Sequence, residues 1–473
     1  MLVSKTIFRD YDIRGVYPRD IDATAALLIG KALGTLLSKK NYIKAVVGRD
    51  DRESSPILTK NFIDGLLSTG INVTYIDVTL TPVIHFLTCT EDFDAGVIVT
   101  ASHNPAQFNG FRIDLKNAVP YCGADILSLY DLIQKNKYKE GKGSYEEKNL
   151  SEKYIKFIKE KFSLQKKFKI VVDCGSGASS VIAPKLFNEI GVGVVPVYCE
   201  YNSNFPHGVP DPESPLFLEE LQRRVVENKA DVGFGYDTDG DRFGVVDEKG
   251  NSYDTDQMLL LFASDVLIKN KGKKVICDVK CSQLVEELVP PMGGSVEMIR
   301  TGHTYFVKEV ALGKAILGAE YSGHVYFGDD YFGYDDGIYA SCRLLDIMDR
   351  SGLKLSELMQ HFPSRENTPE IKLECADTAK FDVIEKLKKD VKEAGQYKNI
   401  RIIDGVRANC TDTGWFLIRA SNTSPYLSVR MEAKDKNELA YVGKNVFELV
   451  SKYGDVDIKN LKRFFGLAKD KTS

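Results

Sequence analysis

The chain has 473 residues, 63 of them Lys or Arg and 67 Asp or Glu, for a formal charge of −4 with 43% apolar side chains. At roughly 100–200 residues per domain, that length predicts three or four compact units, and the ordinary composition excludes disorder or a fibrous class for the chain as a whole. The near-neutral charge lacks the basic excess that binding a nucleic-acid backbone requires, so no nucleic-acid partner is expected.

Residues 1–10 are polar and charged, without the apolar core of a signal peptide, and no stretch approaches the roughly 18 apolar residues of a membrane span. The nine cysteines are scattered and odd in number, which fits reduced thiols in a cytoplasmic setting. Cys277 and Cys281 lack the second pair that a zinc site needs and read as buried thiols. Near the start, residues 8–15 (FRDYDIRG) pack charges and an aromatic before a glycine, which suits a site or a solvated charge cluster equally well.

Residues 45–76 then spell an apolar strand, a loop rich in Asp and Arg, a helix over 57–68, a glycine stop and a second strand. That is a βαβ unit with a parallel sheet, because parallel strands need a helical crossover. The strand at 97–99 ends abruptly in TASHNP (100–105). Strand carboxyl ends in open α/β sheets are where side chains reach a ligand crevice. Ser102 is therefore a candidate nucleophile, with a strand-capping turn as the equal alternative. Side chains of Ser102 and His103 would point to opposite faces if the segment were extended, which disfavours a Ser-His hydrolase pair.

A charged break at 135–143 leads to a second βαβ unit, with strand 169–173, a helix over 182–190 and a strand to 197. Next comes GYDTDGDRFGVV (235–246). In an extended loop Asp237, Asp239 and Asp241 fall on one side and converge three hard oxygens on a divalent cation. Without a cation such crowded carboxylates repel one another. An EF-hand is excluded because Arg242 stands where the sharp-turn glycine belongs and the flanks read as strands. A hairpin turn at 247–252 precedes the third βαβ unit, with strand 274–280, helix 282–288 and strand 294–299, followed by RTGH (300–303), which reads as a site or an ordinary turn.

In GAEYSGHV (318–325), Glu320, Ser322 and His324 alternate on one side. They offer a carboxylate, a hydroxyl and an imidazole, which suits sugar hydroxyls or a set of satisfied loop polar groups. After 362–369 the grammar changes to a half-exposed strand at 370–375, a charged helix over 379–394 and several strands from 400 to 433. Within these, RASNTSP (419–425) forms either a phosphate cradle or a polar turn.

Together these motifs resemble the α-D-phosphohexomutase superfamily, most closely its bacterial phosphomannomutase/phosphoglucomutase type, in the family's order from residue 8 to 433. The resemblance implies three related mixed or parallel-sheet α/β domains plus a C-terminal α+β domain around one central cleft. The boundaries would be 1–148 with a phosphoserine loop, 149–252 with a metal loop, 253–366 with a sugar loop and 367–473 with a phosphate loop. It implies reversible phosphoryl transfer between the 1- and 6-positions of mannose or glucose phosphates, through a phosphoserine and a hexose 1,6-bisphosphate that also serves as activator.

On the same resemblance Ser102 carries the phosphoryl group, and Ser102, Asp237, Asp239 and Asp241 hold Mg²⁺. Arg14, His103, Arg112 and Arg242 serve catalysis. Glu320, Ser322 and His324 bind the sugar, Arg419, Ser421, Asn422 and Thr423 hold the substrate's other phosphate, and Tyr11, Lys280 and His303 line the cleft, with His207 a further candidate. The family's usual lysine after the phosphoserine loop is Arg112 here. An arginine stays protonated to above about pH 12 and so acts electrostatically rather than as a proton shuttle. The alternatives are a phosphoglucosamine mutase and a non-catalytic sugar-phosphate binder. The expected enzyme is a cytoplasmic monomer with no membrane attachment, whose overall acidity conceals a locally basic site at Arg14, Arg112, Arg242, Lys280 and Arg419.

Overall fold

The computed structural model describes residues 3–421 and 425–466. They form two compact units: the first runs through Ile276 and adds Pro291–Ser295 and Gly302–His361, and the second takes Cys277–Pro290, Val296–Thr301 and the described chain from Phe362 onward.

The first unit's leading sheet has the order Ile13–Val16, Phe108–Leu115, Ala95–Val99, Lys44–Arg49, Asn72–Val78 and Tyr145–Glu147. Its middle strands pair in parallel, as the βαβ pattern predicts, whereas Phe108–Leu115 runs antiparallel to Ile13–Val16, to Ala95–Val99 and to the short strand Val119–Pro120. The helix expected at 57–68 forms as Ser55–Leu67. Ala95–Val99 is buried along its whole length, so it reads as a continuous apolar run and delivers its polar successors to the sheet's edge.

The second sheet has the order Ser252–Tyr253, Phe243–Asp247, Val232–Tyr236, Lys169–Asp173 and Gly193–Val197. Its last three strands are parallel, and the hairpin at 247–252 supplies the antiparallel edge. In the third repeat Leu317–Ala319 pairs antiparallel with Val325–Phe327. The first two sheets are thus mixed, because each adds antiparallel strands to its parallel unit.

In the second unit Tyr426–Ala433 pairs on one side with Trp415–Ala420 and on the other with both Glu366–Asn367 and Ile371–Glu374. Ile371–Glu374 alternates buried and exposed residues as its sequence predicts. The helices Lys380–Glu393 and Lys436–Val450 turn Leu387, Val391, Val442 and Val446 into an apolar core with the sheet.

Candidate active site

Ser102 stands just past Ala95–Val99 and is 8% exposed. The expectation of an extended segment fails here, because Ser102 adopts a left-handed backbone with φ of +48°. That turn brings neighbouring side chains together: Ser102 Oγ lies 3.1 Å from His103 Nδ1 and donates to Asp237 Oδ2 at 2.8 Å. A non-glycine residue in this region costs energy unless its surroundings impose it. The imposing group is Arg52, wholly buried, whose guanidinium donates to the carbonyls of Ser102, Asn104, Pro105 and Phe108 and to Asp50.

The three aspartates also converge, through a turn rather than the extended loop expected. Gly240 carries φ of +72°, and Asp237 Oδ1 accepts from the backbone N–H groups of Gly240 and Arg242. One carboxylate oxygen from each of Asp237, Asp239 and Asp241 lies within 4.8 Å of the others. Burial, and then the charge of Asp241, push Asp237 and Asp239 above the ordinary carboxylate range. Thr81, at the start of helix Thr81–Thr90, donates to Asp239 Oδ2 at 2.6 Å, but Asp239 Oδ1 and Asp241 Oδ1 are buried with no hydrogen-bond partner among the described residues. Unmet hard oxygens at this spacing fit a divalent cation such as Mg²⁺.

Arg112 bridges this loop to a second acidic group. It donates to Asp241 at 2.5 Å and to both oxygens of Asp335 at 2.9 and 3.1 Å. Behind Asp335 lies His85, with Nε2 3.5 Å from Asp335 and Nδ1 3.2 Å from Asp114. Buried charges therefore alternate in sign from Asp114 to Asp241. Burial alone would lower the His85 pKa, but Asp114 and Asp335 outweigh it and raise it to about 9. Asp241, His324 and Asp335 also lie close enough to share a metal, but Arg112 already occupies both carboxylates with a guanidinium.

Glu320, Ser322 and His324 come together, through a turn rather than by extended alternation. Ser322 Oγ is 3.0 Å from His324 Nδ1, and Glu320 Oε2, which accepts from Tyr326, is 3.4 Å from the same nitrogen. Gly323 closes the turn with φ of +106°, where an added Cβ would sit 3.1 Å from Arg242 Cβ. The turn reaches the metal loop directly, because Arg242 Nε lies 3.3 Å from His324 Nε2, which is itself 3.5 Å from Asp241. Glu320 Oε1 accepts from the N–H of Gly302, which fixes the start of helix His303–Ala311. His303 there meets Tyr11 edge to face at 5.6 Å and His324 at 6.4 Å, and burial and Arg112 hold its pKa well below the usual value. Arg14 donates to Asn104 at 3.1 Å and pairs with Asp12. His207 joins none of these groups and stacks on Tyr198.

In the second unit Arg419 is held by Asp404 at 3.0 Å, and Gly405 beside it has no room for a side chain, since a Cβ would lie 2.3 Å from the Ile418 carbonyl. Ser421 is buried, and its N–H donates to the Tyr426 carbonyl. Lys280 is also buried, on a turn where its N–H donates to Asp278 and its carbonyl accepts from Arg430. Lys280 and Ser428 lower the Glu370 pKa to about 2 against its burial. Asn422 and Thr423 lie outside the described residues.

Arg14, Arg112 and Arg242 are each paired with carboxylates. Sequence reasoning also missed Arg52, Thr81, His85 and Asp335. Arg52 carried a usable signal, since Asp-Asp-Arg follows an apolar strand just as Ser-His-Asn does. The other three are brought in from distant segments by tertiary packing.

Four family models match the chain. They are described as phosphoglucomutase/phosphomannomutase alpha/beta/alpha domains I, II and III, over 5–140, 152–250 and 254–365, and the C-terminal domain, over 370–449. A phosphomannomutase/phosphoglucomutase of Pseudomonas putida is 38% identical over 442 residues, covering 93% of this chain and 94% of that one. A protein named probable phosphoglucosamine mutase, from Pyrococcus abyssi, is 34% identical over 90% of this chain and 93% of its own. A crystal structure of a phosphoglucomutase/phosphomannomutase family protein from Burkholderia thailandensis superposes with a TM-score of 0.89 at 34% identity, covering 96% of this chain and 99% of that one.

Proposed function

The chain belongs to the phosphoglucomutase/phosphomannomutase family and is a hexose-phosphate mutase, and from that premise we propose that it works through a phosphoserine at Ser102. The observation that carries this reading is the hydrogen bond from the Ser102 hydroxyl to Asp237, one member of a three-carboxylate loop with unmet oxygens.

In the proposed cycle the phosphate on Ser102 passes to the free 1- or 6-hydroxyl of a bound mannose or glucose phosphate. The resulting hexose 1,6-bisphosphate turns around and returns its other phosphate to Ser102. Bound Mg²⁺, held by Asp237, Asp239, Asp241 and the Ser102 phosphate, supplies Lewis acidity that offsets charge on the transferring group. His324 and then Arg112 keep Asp241 ionised against its burial, Arg112 also holds it in place, and Arg242 and Arg14 steady charge beside the Ser102 loop. His103 Nδ1, within hydrogen-bond reach of Ser102 Oγ, takes the serine proton when the hydroxyl is rephosphorylated.

Glu320 and Ser322 accept and donate to sugar hydroxyls, with His324, His303 and Tyr11 around them. Arg419 and Ser421, with Asn422 and Thr423, hold the non-reacting phosphate, and Lys280 contributes charge to the same task. The reading keeps four functional segments at 1–148, 149–252, 253–366 and 367–473. It places the enzyme in the cytoplasm, which the nine unbridged cysteines suit, and takes it as a monomer. Steady-state turnover of mannose 1-phosphate, glucose 1-phosphate and glucosamine 1-phosphate tests the substrate class. The first two are expected to turn over faster, and a strong preference for the amino sugar would replace the reading with an amino-sugar mutase.

A further inference from the structure

Two thiols sit side by side under the metal loop. Cys174 follows strand Lys169–Asp173 and is buried, whereas Cys199, just past the neighbouring parallel strand Gly193–Val197, is partly exposed. Cys199 Sγ lies 3.3 Å from Cys174 Sγ, and its other close contacts are the carbonyls of Val172 and Val197. The loops that carry them are laced together, with Ser176 donating from its N–H to the Tyr198 carbonyl and Asn202 from its N–H to the Ser176 carbonyl.

We propose that Cys174 and Cys199 form a reversible disulfide by exchange with a low-molecular-weight disulfide, and that this bond slows the mutase by shifting the Asp237–Asp241 loop. Cys199, the accessible thiol, attacks one sulfur of the incoming disulfide as its thiolate and releases one thiol. Cys174 then gives up its proton and attacks the Cys199 sulfur of the mixed disulfide, releasing the second thiol. Two protein thiols are oxidised, one small disulfide is reduced to two thiols, and the two protons end on those thiols. Burial raises the Cys174 pKa well above that of a free thiol, which makes Cys199 the point of entry.

The coupling to the site runs through the backbone. A disulfide needs the sulfurs about 2.05 Å apart, so they must close by more than an ångström from 3.3 Å, which pulls the Cys174 turn toward Cys199. That turn is tied to the metal loop. Ser179 N–H donates to the Thr238 carbonyl at 3.1 Å, and at Gly177 even an added Cβ would stand 2.7 Å from Thr238 Cα. Thr238 lies between Asp237 and Asp239, so a displaced turn displaces two of the three carboxylates. The effect on activity rests on the metal-loop reading given above, whereas the cross-link itself does not.

The test incubates the whole protein with glutathione disulfide, maps peptides by mass spectrometry under non-reducing conditions and assays mutase turnover before and after dithiothreitol. The expected result is a Cys174–Cys199 linked peptide, a turnover loss of several-fold that dithiothreitol restores, and resistance to both changes in Cys199→Ser and in Cys174→Ala. Failure of the two cysteines to link, or an equal loss of turnover in Cys199→Ser, would overturn the proposal. A quantitative link with unchanged turnover would overturn the coupling to the metal loop while leaving the thiol pairing intact.

Discussion

Arg112 shows how one side chain arranges the charge at this site. Between Asp241 and Asp335 it makes three short hydrogen bonds from a buried position. Removing one partner of a buried ion pair typically costs about 3–5 kcal/mol, because the remaining charges stay buried without compensation. Arg112→Met is therefore expected to lower the denaturation midpoint and abolish turnover. Arg112→Lys is expected to retain part of the turnover with an unchanged pH–rate profile, and a new titrating limb with faster turnover would show that this position shuttles protons after all.

His85 gives a second prediction at this scale. Its folded pKa of about 9 lies above the ordinary value near 6.5, so the folded chain holds this proton more tightly than the unfolded one. The stabilisation is complete below about pH 6.5 and disappears as pH rises through about 9, amounting to about 3 kcal/mol at most. Urea unfolding of the wild type and His85→Gln across that range measures it. The difference between the two proteins should shrink with rising pH, and a constant difference would contradict the assignment.

At the scale of elements, the strands and helices of the three βαβ units were legible because hydrophobic periodicity is local. Lys169–Asp173, Gly193–Val197 and Lys274–Asp278 stand where their apolar runs predict. The antiparallel course of Phe108–Leu115 was not legible, since its partners are chosen by tertiary pairing. The conformation of the two key loops was hidden for the same reason. Ser102 adopts a left-handed backbone because Arg52, fifty residues earlier, gathers four carbonyls of its loop. The aspartates converge because Gly240 permits a turn that alternation alone would not suggest.

Gly177 tests how firmly neighbouring elements hold the metal loop. Its φ of −89° suits alanine, so the cost of Gly177→Ala comes from close approaches, chiefly 2.7 Å to Thr238 Cα with the Cys174 carbonyl oxygen at 3.3 Å. Overpacking of this kind costs roughly 1–3 kcal/mol. The variant should need a higher Mg²⁺ concentration for half-maximal turnover, and an unchanged Mg²⁺ dependence would show that the loop does not rely on this contact.

For the whole molecule, the sequence pointed to segments that the fold brings together. Its motifs flagged Ser102, the three aspartates and the Glu320 turn, and the structure brings all of these together within the first unit. It did not reveal how charge is balanced. The arginines expected to make a basic site are committed to Asp12, Asp211, Asp241 and Asp335, and in the proposed reading a cation compensates Asp237 and Asp239. A ligand that binds only the folded state stabilises it by about 2.7 kcal/mol at a hundred times its dissociation constant. Mg²⁺ should accordingly raise the thermal midpoint of the wild type, with a clearly smaller rise in Asp239→Asn.

The central claim is that Ser102 carries the phosphoryl group. Phosphopeptide mapping after incubation with glucose 1,6-bisphosphate and Mg²⁺ addresses it directly, with Ser102→Ala as the partner sample. One phosphoryl group at Ser102 in the wild type, none in the variant, and no turnover by the variant is the predicted result. Turnover by Ser102→Ala, or a phosphate found only at another residue, would contradict it.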